Sequence, residues 1–447
     1  MPSRPRGSNP RRLALELLVR VERDRAYANL LLDARLRRQK LSGRDRALAT
    51  ELCYGVLRHR GTIDFLLSQV VDRPLTTVAV DVRNLLRLGV YQLFYLTKIP
   101  TYAAVNETVR LAGRRTRPFL NGILRAVERR GPLRDEELPE DRITKSSVRY
   151  SHPPWLVDRW LKRLGAEALE LLHANNQIPP VGIGWNPLRV REDEFERTLT
   201  RAGVEWKASP WLPHAYRVRD AGKLLSGPAR DRGLFWVMDE ASALVVRLLD
   251  PQPGERVLDV CAGGGVKAAV AAALMENRGE IAALDVNARA LRRLRDGCRR
   301  LGASIVRPVK QDARGAAETF QGWADRVLVD APCTGLGTVR RRPEIRWHVE
   351  RADIPRLADV QGEILDGVAD CVRSRGTLVY AVCSREPEEG EEVIARFLSR
   401  HPEFSREDAL PPFFHEGRGA LLTGGSLATW PHRHDTDGFF AVQLRRQ

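Results

Sequence analysis

The C-terminal part of the chain alternates short apolar segments with helical ones, and this alternation constrains the fold more than any other feature. Residues 256–260 predict a strand, residues 261–267 a glycine-rich turn, and residues 268–274 the start of a helix. Further predicted strands end at Asp285 and at Asp330. Strands that alternate with helices require a parallel sheet with crossover helices, so this part is predicted to belong to the α/β class.

Two cysteines follow predicted strands. Cys333 comes shortly after the strand that Asp330 closes, and Cys383 follows the apolar run Leu-Val-Tyr-Ala-Val. The carboxyl ends of strands are where an open α/β sheet places its reactive groups. Because a thiolate is a strong nucleophile, the pair predicts covalent chemistry in which one thiol attacks and the other helps release. The alternative is that both are small apolar core residues.

The glycine-rich turn and the aspartates after the strands predict a site for a nucleoside-containing cofactor. Glycines let backbone N–H groups and a helix N-terminus approach a ligand, and Asp285 can accept hydrogen bonds from both hydroxyls of a ribose. The turn matches neither Gly-x-Gly-x-x-Gly nor a phosphate loop, which argues against NAD and nucleoside triphosphates. As alternatives, Asp285, Asp312 and Asp330 could each cap a helix, and Lys267 could be a surface lysine.

Positive charge is concentrated in the first third of the chain. The formal net charge of the whole chain is +16, and residues 1–130 hold 26 Lys and Arg against 11 Asp and Glu. A basic domain is typical of a nucleic-acid partner, since each phosphate contact releases counterions. A solvated, arginine-rich helical surface would give a similar composition.

The periodicity of the apolar residues divides the chain into three predicted domains. Ala14, Leu17, Leu18 and Val21 recur at helical spacing, as do apolar residues between 86 and 94, so residues 1–140 are predicted to form a helix bundle. A linker is predicted over residues 131–145, which are rich in Pro, Glu and Asp. Mixed helical and β-rich pieces follow, with a helix through Leu164 and a strand over 181–185. The predicted domains cover 1–140, 141–235 and 236–447.

The chain shows no sign of secretion, membrane insertion or metal binding. Its six cysteines are too scattered for a disulfide framework, and no Cys-x-x-Cys pair suggests zinc. No apolar run is long enough to span a bilayer, and the basic start has no apolar segment behind it to form a signal peptide. We therefore expect a cytoplasmic protein without a metal and without an obligate protein partner.

Several segments of the C-terminal part resemble a known family. Glu-Arg-Val-Leu-Asp-Val-Cys-Ala-Gly-Gly-Gly-Val-Lys, Val-Asp-Ala-Pro-Cys-Thr-Gly-Leu-Gly, Leu-Val-Tyr-Ala-Val-Cys-Ser and the closing Asp-Gly-Phe-Phe are similar to the RsmB-type ribosomal RNA cytosine-5 methyltransferases of the NOL1/NOP2/Sun superfamily. Residues 103–112 and 119–125 resemble the later helices of the NusB family. Together these resemblances imply an all-α NusB-like bundle, a small α+β RNA-binding middle region and a Rossmann-like class I methyltransferase domain.

The resemblance also implies an activity. Such an enzyme transfers a methyl group from S-adenosylmethionine to C5 of a cytosine in ribosomal RNA, here expected to be 16S, with the target base in a loop or flipped out. It assigns attack on C6 to Cys383, assistance in release to Cys333, and contact with the base to Asp330 and Lys267. The implied cofactor site consists of Cys261, Ala262, Gly263, Gly264, Gly265, Val266, Lys267, Asp285, Asp312 and Asp330.

The glycine-rich turn departs from the family pattern Cys-Ala-Ala-Pro-Gly-Gly-Lys-Thr. Gly264 replaces proline, Val266 replaces glycine and Ala268 replaces threonine. A valine bars a positive φ that glycine allows, so the change predicts weaker cofactor binding. The alternative function is a noncatalytic NusB-like RNA-binding factor with a vestigial methyltransferase domain. A nicotinamide-dependent dehydrogenase is disfavoured because its glycine motif is absent.

Overall fold

The computed structural model describes residues 9–38, 41–407, 410–414 and 418–447, so the basic start of the chain lies outside the described residues. The chain divides into two compact units. One comprises Met1–Gln177 with Val339–Arg351, and the other Ile178–Thr338 with Ala352–Gln447. The predicted domain boundaries near residues 140 and 235 stay a prediction. In the described ranges, no helix is long and apolar enough to cross a membrane.

The first unit is helical, as the apolar periodicity predicts. The stripe from Ala14 to Val21 is buried in its core, with Leu86 and Val90. Its helices before residue 178 are α1 (Pro10–Asp24), α2 (Ala28–Arg38), α3 (Gly43–Ser68), α4 (Val80–Tyr95), α5 (Thr101–Leu111), α6 (Arg117–Arg130), α7 (Arg142–Tyr150), α8 (Pro154–Leu164) and α9 (Glu167–Ala174).

The predicted linker over residues 131–145 is partly wrong. Helix α7 begins at Arg142, because the carboxylate of Asp141 accepts a hydrogen bond from the Thr144 N–H at 2.7 Å and caps the helix. Residues 135–137 also form one turn of 3-10 helix. Acidic residues that predict turns therefore start helical structure in this segment.

The inserted segment Val339–Arg351 belongs to the helical unit, although the sequence around it belongs to the other unit. It carries a short helix, numbered α17 by its place in the chain (Ile345–His348). Arg346 is completely buried, and its guanidinium donates to the Ser151 carbonyl at 3.0 Å, to Asn176 Oδ1 at 2.8 Å and to the Asn175 carbonyl at 3.0 Å. Because a buried cation is costly without such partners, these bonds determine where the segment lies.

Trp347 and His348 attach the inserted segment to the long N-terminal helices. The Trp347 indole donates to the Leu57 carbonyl of α3 at 2.9 Å, and His348 Nε2 lies 3.0 Å from the Val21 carbonyl of α1. The segment thus contributes to the core of the helical unit and is not a surface loop of it.

The second unit contains two sheets, and the smaller one is wholly antiparallel, in the order β2-β3-β1-β4. The predicted strand at residues 181–185 is confirmed as β1. Phe195, Tyr216 and Phe235 form the centre of its core. The elements of this part are β1 (Val181–Trp185), α10 (Glu192–Arg201), β2 (Trp206–Ala208), β3 (Ala215–Val218), α11 (Gly222–Leu225), α12 (Pro228–Asp231) and β4 (Phe235–Val237).

The larger sheet has the order β11-β12-β13-β9-β8-β5-β6-β7, with β10 paired to β13. Its elements are α13 (Glu240–Leu249), β5 (Arg256–Val260), α14 (Val266–Leu274), β6 (Glu280–Leu284), α15 (Ala288–Leu301), β7 (Val306–Val309), α16 (Ala317–Phe320), β8 (Ala324–Asp330), α18 (Asp353–Ala369), β9 (Val372–Val382), α19 (Glu391–Arg400), β10 (Phe404–Arg406), β11 (Leu422–Thr423), β12 (Ser426–Ala428), α20 (Pro431–His434) and β13 (Phe440–Arg446).

The prediction of a parallel sheet is right for five strands and wrong for the rest. Strands β5 to β9 pair in parallel, whereas β13 runs antiparallel to β9 and extends the sheet through β10, β11 and β12. Apolar residues of both sheet faces are buried in two separate clusters of helices and strands. The parallel strands therefore bring their carboxyl ends to one edge.

Replacing Arg346 tests the role of the inserted segment. We expect Arg346→Ala to destabilise the helical unit by about 2–4 kcal/mol, because buried carbonyls of residues 151 and 175 lose a charged donor. The measurement is urea unfolding followed by circular dichroism. Arg351→Ala, at an exposed position of the same segment, is the control and should change stability by less than about 0.5 kcal/mol. Equal unfolding midpoints for the two variants would contradict this role.

Candidate functional site

The glycine-rich turn connects β5 to α14, and its backbone differs from the predicted one. Positive φ values occur at Cys261 (62°), Gly263 (56°) and Gly265 (76°), and Val266 is the first residue of α14. The helix thus begins two residues before the predicted Ala268. Since Val266 has helical geometry, no positive φ is demanded of the valine, and the backbone conflict that the sequence predicts at this residue does not arise. Weaker cofactor binding stays a prediction.

Gly265 is the residue that this turn requires. A Cβ added to it would lie 2.3 Å from Cγ of Leu294 on α15, in addition to the positive φ. A Cβ at Gly264 would meet nothing within 4 Å. Gly264, where the family has proline, therefore has space for a side chain. Gly265, in contrast, must be glycine because its backbone packs directly against Leu294.

Asp285 anchors the turn from the end of the neighbouring strand. It follows β6 directly, and its carboxylate accepts hydrogen bonds from the Gly263 N–H at 2.9 Å and the Asn287 N–H at 2.7 Å. Each carboxylate oxygen keeps a further lone pair for a ligand. Asp285 thus connects the turn to a cavity at the carboxyl edge of the sheet.

That cavity has a volume of about 460 Å³. Four predicted site residues line it, Cys261, Asp285, Asp312 and Asp330, beside the apolar side chains of Val286, Val360 and Ile364. The remaining predicted cofactor residues, Ala262 to Lys267, are not part of its lining. The cavity combines carboxylates with an apolar wall, which suits a ligand with hydroxyl groups and a flat ring.

Asp312 has the capping role that the sequence left open. Its Oδ1 accepts the Arg314 N–H at 3.0 Å at the start of a 3-10 turn, and its Oδ2 pairs with the Arg314 guanidinium at 2.7 Å. These hydrogen bonds hold the pKa of Asp312 below its ordinary value. Asp312 both caps a turn and lines the cavity.

Lys267 and Asp330 form a partly buried ion pair. Lys267 Nζ lies 2.5 Å from Asp330 Oδ2 and 5.8 Å from the centre of the Phe439 ring. Burial lowers the pKa of Lys267, but the charge and hydrogen bond of Asp330, with smaller contributions from Asp259 and Cys383, together raise it, so the net shift is upward. The lysine is a fixed cation and not a flexible surface side chain.

Asp259 is a buried acid that the sequence analysis missed. It lies in β5, is completely buried, and neither of its carboxylate oxygens has a hydrogen-bond partner in the protein. Burial, with a further contribution from Asp330, raises the pKa of Asp259 to about 8. An acidic residue inside an otherwise apolar strand was the signal that could have found it.

The two predicted thiols meet. Strands β8 and β9 are parallel neighbours, and the residues after them bring Cys333 Sγ to 3.3 Å from Cys383 Sγ. The hydrogen bond to Cys383 and burial raise the pKa of Cys333 well above its ordinary value, and the charge of an ionised Cys383 raises it further. Cys333 is thus the thiol of the pair whose ionisation its surroundings are shown to disfavour.

Gly337 allows the loop of Cys333 to approach the end of β9. Its N–H donates to the Cys383 carbonyl at 3.0 Å, and its carbonyl accepts the Gly438 N–H at 2.7 Å. A Cβ on Gly337 would lie 1.8 Å from the Gly438 carbonyl oxygen. Glycine at position 337 therefore lets the loop of Cys333, the end of β9 and the segment of Gly438 approach one another closely.

The cysteines and acidic residues bear on two kinds of site, disulfide bonds and metal centres. All six cysteines are free thiols. In the part of the chain that the structure describes, no group of three or more His, Cys, Asp and Glu side chains could hold a metal ion.

Three regions of the chain match known protein families. The family described as 16S rRNA methyltransferase RsmB/F matches residues 246–445, the NusB family matches 8–129, and the ferredoxin-like domain of RsmF/B-like methyltransferases matches 152–224. The middle region with the small antiparallel sheet is accordingly ferredoxin-like.

Whole-chain relatives agree with these matches. A protein of Bacillus subtilis named probable ribosomal RNA small subunit methyltransferase B is 36% identical over 98% of each chain. The ribosomal RNA small subunit methyltransferase B of Klebsiella pneumoniae is 36% identical over 88% of this chain and 90% of its own. The solved structure of the protein PH0851 covers 100% of both chains at 28% identity, with a TM-score of 0.83.

Gly265→Ala tests the turn. We expect it to cost about 1–3 kcal/mol and to weaken binding of S-adenosylmethionine, since an alanine there is strained and displaces Leu294. Thermal unfolding and calorimetric titration measure the two effects. Gly264→Ala is the matched control and should retain both properties. If the two alanine variants behave alike, the turn does not have this geometry.

Asp259→Asn tests the buried acid through pH. In the folded protein Asp259 keeps its proton up to about pH 8, whereas in the unfolded chain it ionises near pH 4. Unfolding therefore releases a proton, and this group lowers stability as pH rises between about 4 and 8. We expect the free energy of unfolding of Asp259→Asn, measured with denaturant, to fall less over that pH range than that of the wild type.

The control for this experiment is Asp296→Asn on α15, where the side chain is 75% exposed. It should leave the slope of stability against pH unchanged. Parallel slopes for the wild type and Asp259→Asn would show that Asp259 titrates normally.

Proposed function

Because the chain belongs to the family of ribosomal RNA small subunit methyltransferase B, an S-adenosylmethionine-dependent family, we propose that it methylates C5 of a cytosine in small-subunit ribosomal RNA through a covalent bond to C6. The observation that carries the proposal is the 3.3 Å separation of the Cys333 and Cys383 sulfur atoms at adjacent strand ends. The reaction uses one thiol to attack C6 and a second to assist release, and this separation lets both act on one base.

The cavity beside the turn suits the cofactor. Asp285 offers carboxylate oxygens for ribose hydroxyls, and Val286, Val360 and Ile364 offer an apolar wall for the adenine ring. When bound, S-adenosylmethionine supplies an electrophilic methyl group. The vestigial alternative depended on the altered turn, and the helical geometry of Val266 argues against the part of it that concerned this valine.

In the addition step, the Cys383 thiolate attacks C6 of the cytosine. A bond forms between Sγ and C6, and the electron pair of the C5–C6 double bond moves toward C5, which becomes nucleophilic. Negative charge develops on the ring, and the fixed cation Lys267, held by Asp330, is available to stabilise it. Asp330 can also accept a hydrogen bond from the cytosine amino group.

In the release step, the methylated C5 loses its proton and the bond between C6 and Cys383 breaks. C5 and C6 are adjacent atoms, so a base attached to Cys383 carries C5 near Cys333. Once Cys383 is bonded to carbon it no longer bears the charge that raises the pKa of Cys333. Cys333 can then release its own proton to water and, as a thiolate, accept the proton from C5. The C5–H electron pair restores the C5–C6 double bond, and the electron pair of the C6–S bond returns to Cys383, which leaves as a thiolate.

The basic first third of the chain suits the polyanionic substrate. Residues 1–130 hold 26 cationic side chains against 11 acidic ones, and the unbalanced cations can neutralise phosphates of ribosomal RNA. A cytosine inside a duplex hides C6, so we propose that the target lies in a loop or is flipped out of its stack.

The two thiols should differ when each is replaced. Cys383→Ala should form no covalent RNA adduct and transfer no methyl group, because C5 is never activated. Cys333→Ala should attack and methylate once and then stay attached, giving a slowly migrating RNA–protein band on a denaturing gel. The double variant should behave as Cys383→Ala does, since trapping requires attack.

Cys298 on α15 is buried, and Cys298→Ala is the control for the loss of a thiol outside the site. This variant should retain turnover. A covalent band from Cys383→Ala with none from Cys333→Ala would reverse the two roles. Full turnover by both single variants would mean that neither thiol takes part in the reaction.

A further inference from the structure

A buried polar cluster joins the loops of the two thiols, and the proposed reaction steps do not use it. Its centre is Glu389, in the turn Pro387–Glu389 after the Cys383 strand, with no exposed side-chain surface. A carboxylate without contact to water is costly unless donors surround it. The partners of Glu389 therefore fix its position, and Glu389 in turn fixes theirs.

On one side, the cluster holds the backbone on both flanks of Cys333. Glu389 Oε1 accepts the Thr334 N–H at 2.7 Å, and Oε2 accepts the Thr334 hydroxyl at 2.5 Å. Gln361 of α18 donates to the Pro332 carbonyl at 3.0 Å and to Glu389 Oε1 at 3.2 Å. The residues immediately before and after Cys333 are thus connected to one carboxylate.

On the other side, the cluster reaches the strand end that carries Cys383. The Ser384 hydroxyl is hydrogen-bonded to the Glu389 carboxylate and lies 3.4 Å from the Thr334 hydroxyl. The Tyr380 hydroxyl, three residues before Cys383 on β9, donates to the Glu389 carbonyl at 2.6 Å. Both Ser384 and Tyr380 are completely buried.

We infer that Glu389 is a positioning residue that holds the loops of Cys333 and Cys383 so that the two sulfur atoms lie 3.3 Å apart, one to attack and the other to assist release. The inference rests on the proposed roles of the two thiols. It follows because Glu389 is bonded to the neighbours of both cysteines, within one buried network. The negative charge of Glu389 also contributes to the raised pKa of Cys333, although less than Cys383 and burial do.

The test replaces the carboxylate without changing its shape. In Glu389→Gln, one of the two Thr334 hydrogen bonds must be lost or reversed, since an amide has only one acceptor oxygen. We expect kcat to fall about 10- to 100-fold because the thiols are misplaced, with KM for S-adenosylmethionine changed by less than about twofold. Glu392→Gln, the same substitution at an exposed position of α19, is the control and should behave as the wild type.

A second readout does not require methyl transfer. Alkylation by iodoacetamide, followed cysteine by cysteine with mass spectrometry across a pH series, reports which thiol ionises. In the wild type Cys383 should react first. In Glu389→Gln, Cys333 should react up to about tenfold faster, the change in thiolate fraction that one unit of pKa produces.

Thr334→Val addresses the same contact from the other side, because it removes the hydroxyl and keeps the backbone N–H. It should shift both readouts in the same direction by less, and the double variant with Glu389→Gln should show less than the sum of the two effects. Wild-type kcat together with a wild-type alkylation pattern in Glu389→Gln would overturn the inference. A wild-type protein that methylates no cytosine would overturn the proposed function, and the alkylation pattern alone would then decide the role of Glu389.

Discussion

The site depends on the parallel pairing of β8 with β9. This pairing places the ends of two strands side by side, and the short loops beyond them bring the Cys333 and Cys383 sulfur atoms to 3.3 Å. The 50 residues that separate the thiols along the chain include a segment built into the helical unit, so proximity in sequence plays no part. Parallel strands with buried faces are a rigid support for such a pair.

The surroundings of Cys333 disfavour its ionisation. The hydrogen bond to Cys383 and burial disfavour ionisation of Cys333, and the negative charges of Cys383 and Glu389 disfavour it further. Lys267, held by Asp330, supplies a cation for charge that develops on a bound base in the proposed reaction. A covalent mechanism with separate attacking and releasing groups requires this kind of asymmetry.

The sequence pattern predicts those parts of the fold that depend on interactions between residues close in the chain. The strand at 256–260 and the strand end at Asp330 are confirmed, because alternation of apolar runs with turn residues is visible within a few positions. The start of α14 at Val266 and of α7 at Arg142 were missed, since caps and backbone geometry decide helix ends. The antiparallel β13 was missed because its pairing with β9 is a long-range choice.

The buried polar residues were the hardest to foresee. Arg346 lies in an arginine-rich run and Glu389 in an acidic one, and both runs are typical of solvated surface. Only the folded chain shows that each is surrounded by hydrogen-bond partners. In the candidate site, the sequence therefore indicated the thiols and the aspartates, whereas Asp259 and the network around Glu389 became visible through tertiary packing.

In the proposed mechanism, Cys383 forms a covalent bond to C6 of a cytosine whose C5 receives the methyl group. The most direct measurement uses ribosomal RNA in which 5-fluorocytosine replaces cytosine, because a fluorine at C5 cannot leave as a proton and the adduct persists. After incubation with S-adenosylmethionine and digestion, mass spectrometry should find a methylated fluorocytosine nucleotide on the peptide that contains Cys383. An adduct on Cys333, or none on either cysteine while ordinary cytosine is still methylated, would contradict the account.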